Sequence, residues 1–442
     1  MSQSDAPSLR RVLTLGDLIL YGIILIQPIA PVGIFGIASQ LSGGHALPAI
    51  LIAMVAMTLT AWSYGRMATL YPAAGSAYTY VSRGLNVHLG FLTGWAMFLD
   101  YLIIPVINTM YTALTLARIV PEIPYLAWAA LAAVAITLLN LRGVRIAARA
   151  NQVLLVVISV VVVAFVIAAV RFLAGGRGLF SSLPFYNPAT FDLRTVAQAT
   201  SLAALTYIGF DGVTTLAEEV RDPRRTVPLA TVLVCLITGL LSAIEIYLAQ
   251  RIWPDYSHYP NLETAFLDVC GRAGGAWLFQ AMAAVLVVAC FGSGLAGQAG
   301  AARLLYGMGR DRVLPRALFG YVSAGSGVPA RNVVLIGILS FAGAAFGTYE
   351  RAAELLNFGA FLAFMGVNAA AFRAWRGVGG KSARLGTVAA VLGFVFCLSI
   401  WISLPAPARI AGGIWFLIGA IYLGVRTRGF RTPPGAVRFE EE

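Results

Sequence analysis

Four acidic side chains lie inside strongly apolar stretches of the sequence: Asp17, Asp100, Asp211 and Glu245. An ionisable group at membrane depth is costly, so it marks a pathway for substrate or protons unless it has a structural role. Asp17 stands at the start of its stretch, where we expect it to cap a helix or to meet a nearby arginine. Asp100, Asp211 and Glu245 are the candidates for a proton-carrying group. Asp211 could instead cap a helix, and Glu245 could pair near the outer surface.

Two of the apolar stretches are interrupted near their centres. The first reads Gln-Pro-Ile-Ala-Pro at 27–31, and each proline removes an amide donor and disturbs the preceding helical turn. The second reads Gly-Phe-Asp-Gly at 209–212. Proline and glycine can merely kink a membrane helix. Corresponding interruptions in two halves of a chain, however, are typical of secondary transporters with inverted repeats, whose substrate lies where the broken helices meet.

The substrate contacts that this pattern predicts fall on the first, third, sixth and tenth apolar segments. An aromatic wall attracts an ammonium group through cation–π contact, and carboxylate or amide oxygens accept its hydrogens. Asn357 could alternatively hydrogen-bond a neighbouring helix. The predicted binding residues are Gln27, Pro28, Ile29, Ala30, Asp100, Asn108, Tyr111, Tyr207, Gly209, Phe210, Asp211 and Asn357.

Twelve apolar segments must position these residues. The 442-residue chain is 59% hydrophobic and 11% charged, whereas soluble proteins carry about 25% charged residues. With about 20 residues needed for each crossing, we predict an all-α integral membrane protein. Its spans lie near 14–39, 46–66, 87–117, 124–141, 150–171, 195–218, 228–250, 273–302, 332–348, 354–372, 385–404 and 410–425. Residues 14–174 and 194–374 form a five-plus-five inverted repeat, 384–425 adds two helices, and 1–13 and 426–442 are terminal segments.

The distribution of basic residues indicates how these spans are oriented in the membrane. Most of the arginines fall on alternate connections, which the positive-inside rule places in the cytoplasm together with both termini. Examples are Arg66, Arg83, Arg142, Arg145, Arg221, Arg224, Arg225, Arg303, Arg310 and Arg316. The net charge of +12 therefore reflects a cytoplasmic surface beside a lipid bilayer, and we expect no nucleic-acid partner.

Two rival classes remain open on the residues alone. A membrane-embedded enzyme would need a metal set or a nucleophile–base pair, but the three histidines and four cysteines are dispersed and lack metal-ligand spacing. We therefore expect no metal, no cofactor and no catalytic residues. A channel would need a filter-like repeated motif, and we find none in the sequence.

The sequence resembles permeases of the amino acid–polyamine–organocation (APC) superfamily from about residue 13 to about 425. The motifs that carry the resemblance are Ala-Ala-Gly-Ser-Ala-Tyr-Thr-Tyr at 73–80, the Gly-Phe-Asp-Gly run with Ala-Glu-Glu-Val-Arg-Asp-Pro at 217–223, and Ala-Arg-Leu-Leu-Tyr-Gly-Met-Gly-Arg-Asp at 302–311. It looks most similar to the branch with bacterial putrescine importers, through Gln27-Pro28, Gly44-His45, Gly94-Trp95, Leu99-Asp100-Tyr101, Ile107-Asn108 and 357–360. The resemblance implies twelve helices, uptake of amino acids or amines across the bacterial inner membrane, and proton coupling.

Two departures from the family pattern affect the predicted substrate and coupling. Amino-acid members carry a Gly-x-Gly run whose amides hold the substrate carboxylate. The matching residues here read Pro-Ile-Ala at 28–30, or Pro-Val-Gly at 31–33 if the alignment shifts by three, and neither has the full glycine pair. A lysine of the fifth helix is also absent, with Ile158 and Ser159 in that region and Lys381 the one lysine of the chain. We therefore predict a proton-coupled importer of putrescine or another amine, with an amino acid permease as the alternative. The role of Glu245, sodium coupling and the oligomeric state stay open.

Overall fold

The computed structural model describes residues 12–72, 76–143, 148–176, 178–217, 219–310, 314–323, 327–378 and 380–432. The motif residues 73–75, Glu218 and Asp311 lie outside the described residues, as do Arg145, residues 1–11 and residues 433–442. Within the described ranges the secondary structure is helical, apart from one isolated parallel bridge between Leu13 and Val220.

The helices follow one another with short connections. The first seven are α1 (Leu15–Ile26), α2 (Phe35–Leu41), α3 (Ala46–Leu70), α4 (Ser76–Gly84), α5 (Val87–Ile119), α6 (Tyr125–Leu141) and α7 (Ala148–Ala174). Next come α8 (Leu193–Ala203), the 3-10 segments Ala204–Tyr207 and Phe210–Leu216, α9 (Pro223–Ile252), the 3-10 turn Tyr256–His258 and α10 (Ala265–Gly274). The last six are α11 (Ala276–Arg310), α12 (Arg316–Phe319), α13 (Ala330–Phe346), α14 (Tyr349–Arg376), α15 (Lys381–Ser403) and α16 (Ala406–Arg426).

Helix length and composition make this a multi-pass membrane protein. Among the described residues, 8 helices are long and apolar enough to cross a membrane: α3, α5, α7, α9, α11, α14, α15 and α16. The apolar helices α1, α6 and α13 are shorter. The predicted class of all-α membrane protein is confirmed at this level.

Local capping explains where α1 begins. The Thr14 backbone amide and hydroxyl donate to the Asp17 carboxylate at 2.8 and 2.7 Å, and the Thr14 hydroxyl accepts from the Asp17 amide. This reciprocal arrangement is a capping box, which satisfies amides that a helix start leaves free. The predicted capping role of Asp17 is confirmed. Just before it, the Val12 and Leu13 amides donate to the Glu219 carbonyl, so the start of α1 is joined to the segment that follows the second 3-10 helix.

Small residues and amides hold the long helices together. A Cβ atom on Gly65 of α3 would come within 2.5 Å of Pro228 Cα of α9, so only glycine permits that approach. The side-chain amide of Asn357 donates to the Ser201 carbonyl of α8 at 2.6 Å, and Asn368 donates to the Thr60 hydroxyl of α3 at 3.1 Å. These interhelical bonds fix the rotation of α14 against its neighbours.

Candidate functional site

The first interruption separates α1 from α2 over residues 27–34. Gln27 has a φ of 66°, a left-handed conformation that costs a non-glycine residue about 1–3 kcal/mol and is often found at functional sites. Its amide still donates to the Ile23 carbonyl at 2.9 Å. Beyond it Pro28 has no amide for the Ile24 carbonyl, and the Ala30 amide donates to the Gln27 carbonyl instead of the Ile26 carbonyl. In the described part of the chain the carbonyls of residues 24–26 accept no backbone hydrogen bond. These oxygens form the negative end of the α1 dipole.

The second interruption lies between the two 3-10 segments of the sixth predicted span. Gly209 has a φ of 115°, which only glycine adopts without strain. A Cβ atom at this position would lie 3.5 Å from the Leu25 carbonyl carbon and 3.5 Å from Ile26 Cγ1. The second interruption is therefore packed directly against the last turn of α1. The two breaks meet in space, as their pairing along the sequence suggests.

A cavity of about 180 Å³ opens where the breaks meet. Its wall comes from both breaks and from α5, α11 and α14. Five of the predicted binding residues line it: Gln27, Ile29, Ala30, Asn108 and Tyr111. Sequence reasoning missed the remaining lining residues, which are Leu25, Ile26, Gly33, Ile104, Ile107, Leu205, Ile208, Leu286, Cys290, Ser293, Tyr349 and Leu356. The wall is mostly apolar, with a few polar groups that could orient a ligand.

Asn108 is the main amide of the cavity. Its Nδ2 donates to the Ile104 carbonyl at 2.9 Å and to the Ser293 hydroxyl at 3.1 Å. Because both amide hydrogens are used within the protein, the side-chain oxygen is the atom that can face a ligand. That oxygen accepts hydrogen bonds and suits a donor such as an ammonium group.

Two tyrosines form the end of the cavity near α2. The rings of Tyr111 and Tyr349 are 5.1 Å apart, and a Cβ atom on Gly33 would come within 2.7 Å of the Tyr349 hydroxyl. Tyr111 is 3% exposed, and its hydroxyl has no hydrogen-bond partner among the described residues. Tyr349 carried no signal in the sequence, because an aromatic residue at the start of a span is ordinarily an interfacial anchor.

The predicted aromatic residues of the sixth span face away from the cavity. Tyr207 is fully buried and its hydroxyl donates to the Ile50 carbonyl of α3 at 2.9 Å. The Phe210 ring packs against Tyr64 and Phe364, at centroid distances of 5.4 and 5.2 Å. Pro28 and Gly209 shape the breaks without lining the cavity. In this structure these residues support the site, and their contact with substrate stays a prediction.

The predicted acids do not line the cavity either. Asp100 is 8% exposed and, within the described ranges, its Oδ1 has no hydrogen-bond partner. Asp211 lies in the first turn of the second 3-10 segment and interacts electrostatically with Asp100, Tyr21 and Tyr101. Of these residues, Tyr21 lies on α1, between the Leu13–Val220 bridge and the first break.

Glu245 lies apart from the other acids, on the part of α9 that faces α10. It is 0% exposed, and neither carboxyl oxygen has a hydrogen-bond partner in the described part of the chain. Cys270 of α10 interacts electrostatically with it.

Comparison with known proteins identifies sequences that are similar to this chain over most of its length. The sequence model of the family "Amino acid permease" matches residues 23–412. The low-affinity putrescine importer PlaP of Escherichia coli (strain K12) is 34% identical over 96% of this chain and 95% of its own length. The branched-chain amino acid permease BcaP of Lactococcus lactis is 27% identical over 95% of each chain. The vacuolar cationic amino acid transporter 4 of Arabidopsis thaliana is 29% identical over 83% of this chain and 63% of its own length.

Proposed function

The chain belongs to the amino acid permease family of membrane transporters, in the APC superfamily, and from that premise we propose that it imports a small organic amine, with a diamine such as putrescine as the first candidate. The putrescine importer of Escherichia coli supports this choice of substrate, because its similarity extends over nearly the whole of both chains. The positive charge of such a substrate also suits the oxygen atoms and the aromatic ring that the cavity presents.

The observation that carries the proposal is the set of unpaired carbonyl oxygens at the end of α1. Leu25 and Ile26 line the cavity, and the oxygens of residues 24–26 accept no backbone hydrogen bond among the described residues. Unwound carbonyls and the carboxyl end of a half-helix attract a cation. A substrate carboxylate would need several free amides at the break, whereas Pro28 and Pro31 supply none and the Ala30 and Val32 amides donate to carbonyls within the break.

The substrate would lie between the two breaks. One ammonium group would meet the α1 carbonyls and Gln27, and the oxygen of Asn108 would accept from it as well. The Tyr111 ring would cover it through cation–π contact. Asp100 and Asp211 would carry the coupling proton, because the two interact electrostatically and the charge of each depends on the protonation of the other. Glu245 would be a second protonation site, outside the substrate cavity.

The wider architecture that we propose is twelve spans in a five-plus-five inverted repeat. Its first repeat (14–174) contains the break at 27–34, its second repeat (194–374) contains the break at Gly209, and 384–425 supplies the last two helices. The arginine distribution supports cytoplasmic termini in the bacterial inner membrane. The Leu13–Val220 end is then cytoplasmic, and the Tyr111–Tyr349 end faces outward.

An amino acid is the second candidate substrate. The similarity to the branched-chain amino acid permease and to the cationic amino acid transporter favours it, since both cover most of this chain. A cationic amino acid would share the ammonium contacts of a diamine but would also place a carboxylate near the break.

A ligand screen on the purified chain separates these possibilities. Thermal stability in detergent is measured with diamines, polyamines and amino acids, followed by uptake of the hits into proteoliposomes with and without a proton gradient. We expect stabilisation and uptake with putrescine, and loss of uptake when the gradient is dissipated. Hits confined to carboxylate-bearing ligands would overturn the amine proposal, and uptake that follows a sodium gradient instead would overturn proton coupling.

A further inference from the structure

A half-buried arginine lies where α3, α14 and α15 meet at one end of the bundle. The Arg66 guanidinium, one turn before the end of α3, lies over the Trp375 ring of α14, with its carbon 4.3 Å from the ring centroid. Contact with a ring face uses none of the N–H donors of a guanidinium. Among the described residues Arg66 forms no hydrogen bond and no ion pair, and only its Nε is enclosed. The terminal N–H groups of Arg66 are therefore available to a ligand.

Close helix packing fixes the position of this arginine. We call the junction of Arg66, Trp375 and Gly386 the arginine corner. A Cβ atom on Gly386 of α15 would come within 2.7 Å of Trp375 Nε1, so only glycine lets the indole lie against α15. On the side of α4, a Cβ atom on Gly84 would come within 2.9 Å of Met67 Cε, next to Arg66 on α3. The ring beneath the guanidinium is thus held in place by the fold.

The two segments that form the arginine corner are basic and contain no acid. Residues 60–90 and 365–390 include no aspartate or glutamate, and none of their basic residues belongs to an ion pair within the described ranges. These basic residues are Arg66, Arg83, Arg373, Arg376, Lys381 and Arg384. All of them except Arg66 are exposed. A surface with charges of one sign attracts a ligand of the opposite sign, which is here an anion.

An apolar surface continues from the corner along α3 and α15, which pack against each other. Trp62 lies one turn before Arg66 on the same face of α3 and is exposed, as are Leu385 and Val388 of α15. At 1.5 Å per residue, Arg66 is about 12 Å from the middle of α3, whereas half of a hydrocarbon core measures about 15 Å. A long arginine side chain reaches from there to the headgroups. Cationic donors therefore lie at headgroup level, with an apolar surface beside the acyl chains.

We propose that the arginine corner binds the phosphate of an anionic phospholipid, with the Arg66 guanidinium as the main donor and the exposed basic residues as supporting charges. Arginine suits this ligand because its planar fork can donate two parallel hydrogen bonds to a phosphate. The acyl chains of the lipid lie along Trp62 and α15. On the proposed orientation the corner is at the cytoplasmic face, where basic residues meet anionic lipids.

The helices that hold the lipid also support the second break. The Tyr64 ring of α3, two residues before Arg66, lies 5.4 Å from the Phe210 ring, and the Phe364 ring of α14 lies 5.2 Å from it. A headgroup bound between α3 and α14 stabilises this packing. Because the corner exists only in the folded chain, the lipid raises the free energy of unfolding.

The test measures the thermal unfolding midpoint of the purified full chain in detergent during titration with phosphatidylglycerol. We expect this lipid to raise the wild-type midpoint more than phosphatidylcholine, which has no net charge. R66Q should increase the phosphatidylglycerol concentration that gives half of the effect by roughly fivefold to tenfold, because a charge-assisted contact is lost. R66K should give a smaller increase, since lysine keeps the charge but lacks the planar fork.

The matched control is R142Q, which removes an exposed arginine at the end of α6, outside the corner. We expect its titration to match that of the wild type. If R66Q does not fold, K381Q combined with R384Q neutralises two exposed residues of the same surface and should also shift the titration.

Three results would overturn the lipid site. The first is an unchanged titration in folded R66Q, or in the double variant where R66Q does not fold, because Arg66 would then have a structural role only. The second is equal stabilisation of the wild type by phosphatidylcholine. The third is stabilisation by inorganic phosphate that phosphatidylglycerol does not increase, because the corner would then take a free anion. These measurements contain no transported substrate, so their outcome is independent of the proposed function.

Discussion

Replacing Tyr111 by phenylalanine should stabilise the ligand-free protein and weaken amine binding. The Tyr111 hydroxyl is buried without a hydrogen-bond partner among the described residues, and such a group costs about 1–3 kcal/mol relative to a satisfied or absent one. Phenylalanine keeps the ring, its packing against Tyr349 at 5.1 Å and its contact with Gly33. If the hydroxyl bonds a charged ligand, its loss removes about 1.5–3 kcal/mol of binding, or roughly a tenfold to hundredfold rise in Kd.

The two effects have opposite signs, so one pair of measurements tests the reasoning. The midpoint of thermal unfolding in detergent is determined without ligand, and putrescine affinity is determined by calorimetry. The control is Y125F, because the Tyr125 hydroxyl donates to the Ala344 carbonyl at 3.0 Å and its removal should destabilise the protein by about 1 kcal/mol. We expect Y125F to lower the midpoint and leave the affinity unchanged. A lower midpoint for Y111F with wild-type affinity would refute the assignment of this hydroxyl to a ligand.

Two further outcomes follow from other parts of the structure. G209A should reduce uptake at least about tenfold, because alanine at a φ of 115° is strained by about 1–3 kcal/mol. The control G307A lies in a helix with open space at its Cβ and should leave uptake intact. Equal uptake by both variants would contradict the role of the second break. D100N combined with D211N should abolish the dependence of uptake on the proton gradient, and pH-dependent uptake by that variant would exclude both as coupling groups.

Features that depend on neighbouring residues could be predicted from the sequence. The breaks lie where prolines remove amides at positions 28 and 31 and where Gly209 permits a positive φ, and both effects act within one or two turns. The cap at Asp17 is equally local, since it involves Thr14 three residues away. Apolar composition likewise indicates a membrane protein without any knowledge of which helices touch.

The wall of the cavity depended on the rotation of each helix, which local sequence does not determine. Tyr207 adjoins the break and looked suited to a substrate, yet packing turns its hydroxyl to the Ile50 carbonyl of α3. Tyr349 lies more than 300 residues from Gln27 along the chain, yet both line the same cavity because α14 packs beside the first break. A span that is apolar on all sides also gives no sequence signal for the face that points into the protein, because lipid and protein interior are both apolar.

The interrupted helices show this division most clearly. Their positions followed from prolines, a glutamine and glycines in two segments nearly 180 residues apart. Their meeting point followed only from tertiary packing, which places Gly209 against the last turn of α1 and leaves Leu25 and Ile26 beside a cavity of about 180 Å³. A backbone conformation is set by its own residues, whereas a binding site is set by which surfaces of distant helices come together.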